Sequence, residues 1–222
     1  MESHSTSNLA VDLGTVEYSY CHSIQRNLVS LRKEGRVGNT ILFCDHDPPV
    51  YTIGRKAERS NYSGVDVIEV ERGGDVTYHC KDQIVAYYVF SVMREGRRDV
   101  GLLIRSVEQS VIDALEDQGI HAYRGSEPGI WVSGRKVCSI GLAIDGEVSF
   151  HGSALNTSEA AMNGFYRINP CGLSPSVMGW VSVDRKLYIQ SVIRSLGPMY
   201  GPFRLVDREE FLQGLGLSPL PS

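Results

Sequence analysis

Three β-rich segments follow one another between Gly129 and Ser158, GIWVSG, RKVCSIGLAI and GEVSFHGSALNTS, and glycines break them apart. That pattern predicts a strand meander. Helical spacing is confined to a few other places. LIRSVEQSVIDALEDQG sets Leu103, Val107, Val111 and Leu115 four residues apart and closes at Gly119, which predicts a helix. YSYCHSIQRNLVSLRKEGRV aligns Ile24, Leu28 and Leu31 and stops at Gly35. DRKLYIQSVIRSLG predicts a helix from about Asp184 to Leu196, and DREEFLQGLG a shorter one. Runs of strands interrupted by two or three long helices favour an α+β fold over a repeating βαβ fold.

Upstream, TILFC and VYTIG read as strands around a turn bearing Pro48 and Pro49. VDVIEVE and QIVAYYVF read as two more. The stretch between them carries Gly73, Gly74 and the polar trio Thr77, Tyr78 and His79, and it is expected to be a loop suited to a site. With 222 residues, 42% hydrophobic and 22% charged, the chain can bury a sizeable core as one domain over residues 1–222. No apolar run approaches the roughly 20 residues of a membrane span, and MESHSTSNLA has neither the basic start nor the apolar stretch of a secretion signal. A soluble, cytoplasmic protein is expected. The net charge of −4, with scattered Lys and Arg, gives nucleic acid little electrostatic footing. Five cysteines without a CxxC pair argue against a disulfide framework and a zinc site and read as reduced thiols, most of them packing residues.

One of the five, Cys171, stands in INPCG and is either a small apolar filler or a nucleophile. A thiol is weakly nucleophilic until a basic or cationic neighbour lowers its pKa from about 8.5. The candidate activators are His79, His151, Lys136 and Lys81. His79 and His151 each follow an aromatic residue in or beside a glycine-containing turn, and either could be a structural histidine. Lys136 opens the apolar run of RKVCSIGLAI, where a strand would turn into the core. It either finds a partner there or snorkels to water.

RGGDVTYH, RKVCSIG, SFHGSALN and INPCG follow in this order, and HDPPVYTIGR precedes them. Together they resemble the lipoyl(octanoyl) transferase family, acyltransferases that move an octanoyl chain from acyl carrier protein onto a lysine of lipoyl domains. The resemblance runs from about Leu13 to Cys171 and thins out beyond. It implies a mixed sheet with flanking helices, similar to the catalytic domain of biotin and lipoate protein ligases. It implies catalysis by Cys171, which would carry the acyl group as a thioester, and by Lys136, which would lower the pKa of that thiol. It places the acyl site at Arg72, Gly73, Gly74, Asp75, Val76, Thr77, Tyr78 and His79, at Ser139, Ile140 and Gly141, and at Gly152, Ser153 and Ala154, with His151 as an orienting or substrate-contacting group. Tyr78, Ile140 and Leu142 are candidate walls for the acyl tail. The implied partners are octanoyl-acyl carrier protein as donor and, as acceptors, lipoyl domains of 2-oxoacid dehydrogenase subunits or the glycine-cleavage H protein. No cofactor and no metal are expected, and the chain is expected to act as a monomer.

The chain departs from that pattern where the family continues its histidine as H-G-P-G-Q, because here the turn reads His79, Cys80, Lys81, Asp82, Gln83. If the backbone there needs φ > 0, side chains at Cys80 or Asp82 are expected to strain or narrow the loop. GLSPSVMGWVSVD after Cys171 also lacks the family's V-T-S-L continuation. The oxyanion of an acyl transfer would need backbone N–H donors, for which Gly172 and the neighbourhoods of Gly141 and Gly152 are the candidates. Two other readings remain open: an ATP-dependent lipoate or biotin protein ligase, which needs no cysteine nucleophile, and a non-catalytic lipoyl-domain-binding homologue.

Overall fold

The computed structural model describes residues 7–125, 128–169 and 174–217. Strand β1 (Asn8–Val16) leads into helix α1 (Tyr18–Lys33), then β2 (Thr40–His46) and β3 (Val50–Ile53). After these come β4 (Ile68–Glu69), β5 (Val76–His79), β6 (Gln83–Val89), the short pair β7 (Met93–Arg94) and β8 (Arg97–Arg98), and helix α2 (Val100–Glu116). The second half holds β9 (Tyr123–Arg124), β10 (Ile130–Val132), β11 (Arg135–Asp145), β12 (Val148–Asn156), a single turn α3 (Met162–Phe165), helix α4 (Arg185–Tyr200), β13 (Phe203–Val206) and α5 (Arg208–Gly214). The main sheet has eight strands in the order β13-β1-β2-β6-β12-β11-β10-β9. β1 pairs in parallel with β2 and β13, and the other pairings are antiparallel, so the sheet is mixed.

The interior strands β2 and β6 are buried on both faces, and this explains the apolar runs at 41–44 and 84–89. Side chains alternate across a strand. Ile41, Phe43, Ile84, Ala86 and Tyr88 pack against Leu103, Val107 and Val111 of α2 and Tyr188, Val192 and Leu196 of α4. Leu42, Cys44, Val85, Tyr87 and Val89 pack the other way, against Cys21, Ile24 and Leu28 of α1 and Phe211 and Leu212 of α5. Asp99, Asp184 and Asp207 cap the first turns of α2, α4 and α5 by accepting from backbone N–H groups, which satisfies donors that have no partner within the helix.

A second sheet, β4-β3-β5, stands beside the first over its own apolar cluster of Ile53, Tyr62, Val76, Cys80, Phe165, Ile168 and Met178. Here the sequence reading needs two corrections. Of VDVIEVE only Ile68 and Glu69 are strand, because their single partner is the four-residue β3. Val76–His79 is not a loop but a strand, paired antiparallel with β3 from Val50↔His79 to Ile53↔Val76. Residues 8–16, which show no clear alternation, form β1, and Phe203–Val206 form β13 at the sheet edge. Pairing rather than local pattern makes both of them strands.

The glycine-free turn at Cys80, Lys81 and Asp82 is unstrained. The non-glycine residues with positive φ among those described are Glu95, Ser133 and His151. Cys80 turns into the second sheet's cluster, its N–H donates to Gln83 Oε1, and the Asp82 carboxylate accepts from Ser158 Oγ at 2.8 Å. Side chains therefore close the turn, and none of the three residues lines the cleft between the two sheets.

Gly152 is the tightest point of the main sheet. It lies in β12 between Gly141 of β11 and Tyr87 of β6, and a Cβ there would meet the Ala86 carbonyl oxygen at 1.9 Å and the Tyr88 ring at 2.8 Å. Neither neighbour can yield without opening the ladder. Gly152→Ala is expected to destabilise the fold by about 3 kcal/mol or more, read as a lowered midpoint in urea unfolding.

Candidate active site

A cleft of about 600 Å³, open mouth included, lies between the two sheets at the start of α1. Its walls hold Arg72, Gly73, Gly74, Asp75, Val76, Thr77 and His79 from one side and Lys136, Ser139, Ile140 and Gly141 of β11 from another. His151, Gly152, Ser153 and Ala154 of β12 complete the predicted set. One predicted residue stands apart. Tyr78 points to the other face of β5, against Tyr51, Phe165 and the bare Cα of Gly164, where a Cβ would meet its ring at 2.2 Å. Leu142, expected as a wall, contributes its backbone instead, accepting from Gly73 N–H at 3.0 Å. Cys171 and Gly172 lie outside the described residues.

The sequence reading missed Tyr18, Val85 and Tyr87, which also line the cleft. YSYCH and QIVAYYV look like ordinary core segments, and only the sheet pairing reveals that one face of β6 borders a cavity.

The RGGD loop is clamped from two sides. The Arg72 guanidinium donates to the Thr52 carbonyl at 2.8 Å and to Thr52 Oγ1 at 3.0 Å. The backbone of Arg55 and Lys56 donates to the carbonyls of Arg72 and Gly74. Gly54 makes that approach possible, since a Cβ on it would lie 2.5 Å from the Gly74 carbonyl oxygen. This gives the TIGR segment a role: it supports the loop and does not itself line the cleft.

Lys136 is only 4% exposed, so the alternative of a side chain reaching to water does not hold. It pairs opposite Trp131 of β10, and its stem lies on Gly129, where a Cβ would come within 2.6 Å of Cε. Gly129 also holds φ +127°, a conformation that side chains disfavour.

Described residues on either side of 170–173 bond toward this wall. Asn169 N–H donates to the Asn61 carbonyl, and the Asn61 side chain donates to Asp75 in the cleft wall. On the far side, Met178 bridges Lys136 and Gly179 N–H donates to the Lys136 carbonyl at 3.0 Å.

His79 closes β5 beside the turn at Cys80–Asp82, whereas His151 lies within β12, and burial keeps both neutral. His46 is pushed down to about 4 by burial, only partly offset by its backbone bond. Its Nδ1 lies 3.0 Å from the Val16 carbonyl and its Nε2 2.7 Å from the Tyr87 hydroxyl. A carbonyl only accepts, so Nδ1 carries the proton and Nε2 accepts from Tyr87. Burial first, then His46 and Arg72, lowers His79 well below the usual range, and burial, His22 and Arg72 bring His151 to about 3. Thr77 Oγ1 and His79 Nδ1 make no hydrogen bond to a described residue. They are thus able to receive polar groups of a bound molecule.

The chain matches the family described as the lipoyl protein ligase A/B catalytic domain over residues 17–197 and belongs to it. Within that family it is similar to the octanoyltransferases. It is 39% identical over 210 residues to the octanoyltransferase of Geobacter metallireducens, covering 91% of this chain and 95% of the relative. To that of Solibacter usitatus it is 36% identical over 190 residues, covering 81% and 85%. Among solved structures the fold resembles a lipoate-protein ligase A bound with ATP, with a TM-score of 0.69 at 14% identity over 95% of this chain and 92% of that one. It also resembles a bipartite lipoate protein ligase from Thermoplasma acidophilum, with a TM-score of 0.66 at 14% identity over 95% and 90%. These agree with the α+β, mixed-sheet fold expected from the sequence.

The unfolded chain protonates His46 near pH 6.5, whereas the folded chain does so only near pH 4. The stability it protects is therefore fully present above about pH 6.5 and is lost as pH falls toward 4, amounting to about 3 kcal/mol for a shift of this size. Urea midpoints measured from pH 7 to pH 4.5 are expected to fall. The fall should be shallower in His46→Asn, whose amide can still donate to Val16.

Proposed function

We propose that this chain, as one catalytic domain, carries out octanoyl transfer in protein lipoylation through a thioester on Cys171, with Lys136 as its proton partner. The observation that carries the reading is the convergence of RGGDVTYH, RKVCSIG and SFHGSALN on one cleft, with buried Lys136 in its wall and both flanks of the Cys171 segment tied to that wall. The described cysteines are buried and unsuited to the role. Burial raises the thiols of Cys44 and Cys80 and pushes Cys138 up to about 12. Raised thiols are inert.

An ammonium beside Cys171 favours its thiolate. The thiolate attacks the octanoyl carbonyl of the donor thioester, a carbon–sulfur bond to Cys171 forms, and the bond to the carrier thiol breaks. The proton of Lys136 goes to the departing carrier sulfur. Lys136, now neutral and facing an uncharged thioester, accepts a proton from the incoming lysine amine. That amine attacks, the amide forms, and the Cys171 thiolate leaves into its original pairing. The donor is octanoyl-acyl carrier protein, and the acceptors are lipoyl domains of 2-oxoacid dehydrogenase subunits or the glycine-cleavage H protein. Val76, Val85, Ile140 and Ala154 give the acyl tail an apolar wall, each buried methylene contributing about 0.8 kcal/mol.

Incubation with octanoyl-acyl carrier protein followed by intact mass measurement is expected to show one octanoyl adduct, labile to hydroxylamine and absent in Cys171→Ser. An ATP-dependent octanoyl-adenylate with no adduct on the protein would replace this reading by that of a ligase. Lys136→Ala should slow adduct formation by about 100-fold to 10,000-fold and alter its pH profile; an unchanged profile would refute the role of Lys136.

Gly129→Ala tests positioning separately from chemistry. Displacement of Lys136 by the added methyl is expected to lower transfer by about 100-fold. Thermal unfolding of the same variant distinguishes that from general loss of fold.

A further inference from the structure

Three side-chain atoms converge beside the cleft without a hydrogen-bond partner among the described residues: His22 Nε2, Glu71 Oε2 and His151 Nε2. His22 lies on α1, Glu71 just ahead of the RGGD loop, and His151 on β12. The Glu71 oxygen is 3.4 Å from His22 Nε2 and 3.6 Å from His151 Nε2, and all three ligand atoms lie within 4.8 Å of one another. His151 is 2% exposed, and its buried ring nitrogen faces only the Glu71 carboxylate, too far at 3.6 Å for a good hydrogen bond. The backbone at this residue reinforces the point. His151 holds φ +59° within a strand, and its N–H is caught by Gln25 Oε1 at 3.0 Å. A non-glycine residue persists in that region only where its surroundings over-determine it.

We propose that His22, Glu71 and His151 bind a divalent late first-row transition metal, zinc foremost, through Nε2, Oε2 and Nε2. Two imidazoles and a carboxylate suit zinc and disfavour magnesium and calcium. With metal–ligand bonds of about 2.0–2.2 Å, the ligand atoms of a tetrahedral site stand about 3.3 Å apart. Two of the three edges are already close to that span. The third closes by rotation of His22, whose ring now stacks on His151 at 12° with centroids 5.4 Å apart. The His22 side chain is 25% exposed, against 2% for His151, and lies between the rings of His151 and Tyr18, in whose plane it can turn, so it is the ligand that moves. Arg26 Nη1, 3.9 Å from Glu71 Oε1, holds the other carboxylate oxygen and leaves Oε2 for the metal. Three protein ligands leave the fourth position open beside the cleft that His151 lines. The lack of a CxxC pair excludes only a cysteine site, and none of these ligands is a cysteine.

The test uses the full chain stripped with a chelator, titrated with Zn²⁺ by calorimetry and with Co²⁺ by visible absorption. Expected are saturation at a single ion per chain, a tetrahedral cobalt spectrum without a thiolate charge-transfer band, and no binding of Mg²⁺. His22→Ala and Glu71→Gln, both at partly exposed positions, should keep the wild-type circular dichroism and weaken Zn²⁺ binding by about 100-fold or more. Cys171→Ser should bind as wild type. Absence of saturable binding, wild-type affinity in both ligand variants, or loss of binding in Cys171→Ser would each overturn the proposal. None of these readouts depends on octanoyl transfer.

Discussion

The close passage of β12 against β6 at Gly152 is the constraint on which the cleft depends. The Ala86 carbonyl occupies the space a side chain would take, so Gly152, Gly141 and Tyr87 lie side by side in one row. Everything that faces the cavity from β11 and β12, Lys136 through Ala154, takes its place from that row. The RGGD loop is then laid over it by hydrogen bonds to Leu142 on one strand and to Thr52 on the other sheet. Rigid strands thus carry both walls, which suits a reaction sensitive to displacements of about 1 Å.

The electrostatics follow from the same packing. Two imidazoles kept neutral by burial, His79 and His151, line a cleft whose wall includes the Arg72 guanidinium and the Lys136 side chain, and a third, His46, packs against His79. Neutral histidines can offer or accept hydrogen bonds without adding further positive charge. An acyl-transfer site needs this division: charge to favour a thiolate, and uncharged donors and acceptors to receive a substrate.

Much of this could be read in the chain beforehand, and the exceptions have physical causes. The meander and the helices with four-residue apolar spacing are local patterns and lie where the sequence places them, and RGGDVTYH, RKVCSIG and SFHGSALN each send residues to one cleft. Val76–His79 looked like a loop because its strand character comes from β3, distant in sequence. β1 and β13 were invisible for the same reason, each defined by a parallel neighbour. Tyr78 went to the wrong side of β5 because a strand's alternation fixes which residues share a face but not which face meets the cavity. The turn at Cys80 looked strained by analogy with glycine, but Gln83 and Ser158 close it with side chains.

The parallel seam between β1 and β13 has a consequence for how the chain is made. Asn8 pairs with Phe203 and Val11 with Val206, so one edge of an early strand waits for residues synthesised almost two hundred positions later. At about 5–20 residues per second, that interval lasts on the order of ten seconds or more. During it, β1 carries an open row of backbone donors and acceptors, the feature that recruits foreign strands. Arrival of Phe203–Val206, with α5 immediately behind to cover Leu13 and Val206, pairs that row and leaves only the four-residue β13 at the edge. The C-terminal segment therefore ends the exposure of β1, although none of its described residues lines the cleft.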